Sequence, residues 1–220
     1  MPDKSGSARI WPRTGCTGID GADFHCETGD CGNKIKCRGA TGQNNASLAE
    51  FTLNGYVPPN DPNAKPADSD FYDTSYLDGY NVTTVMKPKD GTFDTSGGTP
   101  NKWCGETGVC SGDAKNAFPE ENKIYNADHT KVVAVKGICG DGGARCCKDV
   151  SKSGPACTPD SLLANDKANY DNVRAICQGY LYDYDDKAST HNCKGKDGKP
   201  SPDYDVFFCG EKDGGDGSGK

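Results

Sequence analysis

From Ser47 to Tyr56 the chain reads SLAEFTLNGY, and its side chains alternate: Ala49, Phe51 and Leu53 face one way, Leu48, Glu50 and Thr52 the other. A period of two is that of a strand with one buried face, and it sets Glu50 opposite the residues that would fill a core. Shorter strand signals lie in ARIWPR (8–13, closed by Pro12), at Phe71, in GYNVTTVMK (79–87), in KVVAVKG (131–137) and in YDVFFC (204–209). GYLYDYDDKASTHNC (179–193) reads as strand, acidic turn and strand. A helical period occurs in TPDSLLANDKANYDNVRAIC (158–177), with Thr158 as cap, Pro159 in the first turn and Asp160 where the helix dipole favours negative charge. Tyr170, Val173 and Cys177 share one stripe of that helix, Ile176 lies beside it, and Gly179 falls near its end. The proline- and aspartate-rich stretches 57–70 and 87–102 read as exposed loops, and 210–220 as a disordered tail. Many short strands separated by turn signals predict a mainly β fold, an antiparallel β-sandwich with loop-rich appendages.

Composition changes that picture in one respect. Apolar residues make up 33% of the 220 and mean hydropathy is −0.78, poor for a chain stabilised by burial alone. Thirteen cysteines and 29 glycines point instead to a loop-rich fold held by cross-links. No cysteine pair has CxxC spacing and there are three histidines (25, 129, 191), so neither a metal site nor a cofactor is expected. Disulfides in an oxidising compartment are the better reading, and the sequons Asn45-Ala46-Ser47 and Asn81-Val82-Thr83 fit a secreted glycoprotein. The balance of 25 basic and 32 acidic residues, net −7, argues against nucleic acid as a partner. No run approaches a membrane span.

The chemistry concentrates in FYDTSYLDGYNV (71–82), which sets Asp73 and Asp78 among Phe71, Tyr72, Tyr76 and Tyr80. Carboxylates beside aromatic rings suit a saccharide cleft, but aspartates also bond turn amides and aromatics also fill sheets. Five residues apart, Asp73 and Asp78 share a site only if the chain turns or bulges near Ser75.

The blocks ARIWPRTGC, FHCETGDCGNKIKC, SLAEFTLNG, DFYDTSYLDGYNV, the cysteine pair 146–147, YDYDDKASTHNC and VFFC resemble, in this order from Ala8 to Cys209, the thaumatin-like, pathogenesis-related family. Asn33 stands where that family usually has a second glycine after GDCG, and asparagine tolerates the left-handed dihedrals such a turn needs. The resemblance implies disulfides 16–26, 31–37, 104–193, 110–177, 139–146 and 147–157. It leaves Cys209, whose family partner lies in a first strand, so the chain reads as N-terminally truncated, its leader and first strands missing. The implied layout is a sandwich core from 8–103 and 178–209 that includes a small disulfide lobe at 14–40, a cysteine-rich lobe with one helix at 104–177, and the tail.

The resemblance also implies an acidic cleft marked by one arginine and four acids: Arg9, Glu50, Asp73, Asp78 and one of Asp185 or Asp186. Glycoside hydrolysis uses one protonated carboxyl to donate to the leaving oxygen and one ionised carboxylate as base or nucleophile. Glu50 is then the expected acid and Asp73 or Asp78 the base, with Arg9, the Asp185/Asp186 pair, Phe71, Tyr72 and Tyr76 as substrate contacts. Two functions follow: a secreted, monomeric defence-type protein that binds and weakly hydrolyses β-1,3-glucan or another wall polysaccharide, or a non-catalytic glucan-binding or membrane-perturbing antifungal protein.

Overall fold

A computed structural model describes residues 6–19, 23–43, 45–53, 68–98, 101–138, 164–181 and 189–209. Strands are β1 (Ser7–Ile10), β2 (Thr14–Thr17), β3 (His25–Thr28), β4 (Leu48–Thr52), β5 (Asp70–Ser75), β6 (Gly79–Tyr80), β7 (Thr84–Pro88), β8 (Lys123–Tyr125), β9 (Val132–Lys136), β10 (His191–Cys193) and β11 (Tyr204–Phe208). Among these residues one α-helix, α1, spans Ala164–Ile176.

The alternation in SLAEFTLNGY produces the central sheet. β4 lies between β1 and β5, β10 closes the far side, and every pairing is antiparallel. Ala49, Phe51, Tyr72 and Cys193 turn to one face, where Met86 of β7 joins them and all five are buried. β7 pairs with β11, and this ribbon packs on the apolar face of the sheet through the Tyr204 ring, 5.1 Å from both Phe51 and Tyr72. This is the sandwich that the strand pattern predicts. Each large side chain sealed there contributes about 1.5–3 kcal/mol. Asp70 is also sealed inside and accepts from the Ser201 hydroxyl at 2.7 Å and the Tyr204 hydroxyl at 2.9 Å.

A second core gathers Tyr76, Tyr80, Phe118, Val135, Ile138, Leu181, Val173 of α1 and Cys177 just past its end. It packs on the sheet β6-β9-β8, of which β8 carried no strand signal. The expected cap residues Thr158, Pro159 and Asp160 lie outside the described residues.

GYNVTTVMK is not one strand. Asn81 divides it, with β6 entering the second sheet and β7 the ribbon. Its Oδ1 accepts from the backbone N–H of Ser47 (3.1 Å) and Val82 (2.9 Å), and its Nδ2 donates to Pro12 O (3.1 Å) and Thr28 Oγ1 (2.8 Å). Four segments are pinned by one buried amide, which a side chain tied into the backbone does at the cost of the ladder. The reading of Asn81 as a glycan acceptor is therefore corrected: its nitrogen is fully buried and engaged in two hydrogen bonds. Asn45 is in the same position, 7% exposed, with Nδ2 donating to Gln43 Oε1 at 3.2 Å and Oδ1 accepting from Gly29 N at 2.7 Å.

The β2–β3 hairpin carries the Cys16–Cys26 bond, and Cys31–Cys37 closes the turns that follow. Asn33 adopts φ 58°, the left-handed turn expected of it. Cys104–Cys193 and Cys110–Cys177 are also bonded, and Cys209 is free and exposed. These four bonds are those the resemblance implies among the described cysteines; Cys139, Cys146, Cys147 and Cys157 lie outside them. No described helix is long and apolar enough to cross a membrane.

Candidate functional site

The other face of the central sheet carries the polar half of the alternation. Register puts Arg9 opposite Glu50 and Glu50 opposite Asp73, so one guanidinium and two carboxyls lie side by side in a row across three strands. One row along, Ser7 faces Thr52 and Thr52 faces Phe71, with the Ser7 and Thr52 hydroxyls 3.1 Å apart. These rows form one wall of a groove of about 680 Å³, to which Tyr180 and Thr190 also contribute. That volume lies within the usual ~300–1,000 Å³ of ligand pockets.

Asp78 arrives by a different route. β5 ends at Ser75, and the turn that follows returns Asp78 toward β1, where its carboxylate lies 3.9 Å from Arg9 Nη1 with both side chains about one-third exposed (34% and 40%). This is the turn near Ser75 that joint use of Asp73 and Asp78 requires. Two contacts hold it. The Ser75 hydroxyl accepts from Leu77 N at 3.4 Å, and the Asp78 carbonyl accepts from Gly137 N at 3.3 Å. Gly137 has to be glycine, because a β-carbon there would sit 1.8 Å from the Leu77 carbonyl oxygen.

Glu50 titrates above its ordinary range. Burial is the largest influence and raises its pKa; the Arg9 charge and the Ser75 hydroxyl pull it down, and the Asp78 charge pushes it up, leaving it above its ordinary 4.5. Among the expected sugar-facing rings, Phe71 lines the groove and is 42% exposed. Tyr72 and Tyr76 are corrected: both are sealed in cores, their hydroxyls donating to Gly105 O (2.6 Å) and Gly108 O (3.0 Å). Strand period accounts for Tyr72, which falls on the face opposite Phe71. Asp185 and Asp186 lie outside the described residues.

Sequence reasoning did not name Ser7, Ala8, Phe51, Thr52, Tyr180 or Thr190 as groove residues. Ser7 and Thr52 were within reach of the same alternation, two places from Arg9 and Glu50. Tyr180 falls in the stretch read as a strand, of which the described residues keep a single bridge from Tyr180 to Ser75, and Thr190 stands just before β10.

Comparison with known proteins agrees with this architecture. The chain matches the Thaumatin family over residues 1–210. It is 33% identical over 205 residues to pathogenesis-related protein 5 of Arabidopsis thaliana, covering 92% of this chain and 71% of that protein. It is 32% identical to pathogenesis-related thaumatin-like protein 3.5 of Cryptomeria japonica, covering 92% and 70%. It is also 30% identical to a protein of Prunus avium named glucan endo-1,3-beta-glucosidase, covering 92% and 71%. A mainly β sandwich with bonded cysteines, blocks running in family order and a match over nearly the whole length lead to one conclusion: the chain belongs to the Thaumatin family.

Proposed function

We propose that this chain is a secreted defence-type protein that binds β-1,3-glucan in the groove of Arg9, Glu50, Asp73 and Phe71 and cleaves it slowly. One observation carries the reading: a half-buried carboxyl with a raised pKa stands directly beside a second carboxyl on the open face of a sheet. Burial lets Glu50 keep its proton to higher pH than a free glutamic acid, and Glu50 gives it to the bridging oxygen as the bond breaks. Asp73 or Asp78 acts as base for water or as nucleophile. Arg9, between Glu50 and Asp78, offsets the negative charge that would otherwise build up in the groove. Phe71 offers an exposed ring to the apolar face of a sugar, and the Ser7 and Thr52 hydroxyls offer partners to its hydroxyl groups. A relative named as a glucan endo-1,3-beta-glucosidase supports the choice of linkage.

The test is release of reducing ends from a soluble β-1,3-glucan. Wild type is expected to release them and Glu50→Gln to bind without release. Binding by both proteins with release by neither would make this a glucan-binding protein; binding by neither would overturn the proposal.

A further inference from the structure

We propose that Arg174, which is not among the groove-lining residues, positions the groove's far rim by clamping the two loop segments that supply Tyr180 and Thr190. The clamp rests on the proposed glucan groove only for its functional consequence; its geometry is independent of any ligand. Arg174 lies in the last turn of α1, next to the fully buried Val173. The helix end beneath it is fixed three ways: by the Cys110–Cys177 bond, by Ser111 N donating to Ile176 O at 2.9 Å, and by Gln178 N donating to Val109 O at 2.9 Å.

From that base the guanidinium spans two strands of loop. Nη1 donates to the Gly179 carbonyl, and Nη1 and Nη2 both lie 3.4 Å from the Ser189 hydroxyl. Ser189, 4% exposed, donates to the same Gly179 carbonyl at 2.9 Å. Gly179 and Ser189 are thus joined across ten residues of chain, and each is followed directly by a groove residue. Tyr180 is then registered on the edge of β5, its N–H donating to Thr74 O at 2.9 Å and its carbonyl accepting from Tyr76 N at 2.7 Å. Thr190 lies one residue beyond the His191–Tyr72 pair, which brings it alongside Asp73. The rim therefore inherits its place from a planar fork anchored in the second core.

A cation in the last turn of a helix also has an ordinary role, offsetting the helix dipole. Lysine separates the two roles, because it keeps the charge but replaces the five-donor fork with a point donor. In Arg174→Lys, hydrogen exchange of the amides at 179–181 and 189–191 should quicken by about tenfold while β4 is unchanged. Affinity for a soluble β-1,3-glucan should fall by about 3- to 10-fold, with turnover at saturation retained. Ser189→Ala added to Arg174→Lys should cost less than the two changes summed, because both act on one carbonyl. Wild-type exchange and wild-type affinity in Arg174→Lys would overturn the clamp. If the wild-type protein binds no glucan, the functional reading falls, and exchange alone decides the clamp.

Discussion

Glu50 owes its chemistry to its place in a strand. Alternation puts it on the polar face, but the groove walls cover enough of it that burial dominates its titration and raises its pKa above 4.5. Cleavage that needs this proton should fall as pH rises through the raised value and also at low pH, where the carboxylate serving as base takes up a proton, so the profile should be bell-shaped with its basic limb above the range of a free glutamate. The same shift governs stability. Proton binding at Glu50 favours the folded state below the ordinary pKa, and that contribution is lost as pH rises through the folded one. Glu50→Gln should therefore unfold at neutral pH at a urea concentration equal to or above that of wild type, even as it loses activity. Asp30 has the opposite sign. Burial alone would raise its pKa, but the backbone N–H groups of Asn33, Cys26 and Gly32 and the Arg13 charge bring it below 3.8. Its contribution is present above the ordinary value and lost as pH falls through the depressed one. Asp30→Ala, which orphans those donors and the Arg13 guanidinium 3.7 Å away, should cost about 3 kcal/mol by urea unfolding.

At the scale of elements, what could be read from sequence was periodic and what could not was tertiary. Strand period alone places Ala49 and Phe51 in the core and Glu50 outside it, and the helical period places Val173 of α1, and Cys177 just past its end, on one buried stripe. Family blocks supplied Arg9, which stands opposite Glu50. No period separates Phe71 from Tyr72 until the face of β5 is known, and GYNVTTVMK conceals its break because an asparagine hub depends on three segments distant in sequence. The turn bearing Asp78 is equally non-local, since it fits against Gly137 on the far side of 58 residues of intervening chain. Gly137→Ala should displace that turn, weaken glucan binding and lower stability by about 1–3 kcal/mol, read by calorimetry and binding together. Asn33→Gly should be tolerated, whereas Asn33→Val, forced to φ 58°, should cost about 1–2 kcal/mol.

For the molecule as a whole, covalent links compensate for a thin core. Cys104–Cys193 and Cys110–Cys177 close separations of 89 and 67 residues, for which the chain-entropy model gives about 4–5 kcal/mol each. Reduction should lower the unfolding temperature sharply and quicken exchange around β10 and the end of α1 first, because those bonds hold both. A net charge of −7 disfavours anionic lipid and leaves a neutral polysaccharide unaffected, so binding to glucan should change little between low and physiological salt. The most direct test of the groove is a titration of the isotopically labelled protein with a soluble β-1,3-linked gluco-oligosaccharide, followed by amide chemical shifts. The account predicts changes concentrated at residues 7–9, 50–52, 71–73, 180 and 190 and diminished in Phe71→Ala. Saturable binding whose shifts fall elsewhere, or no shifts at all, would contradict it.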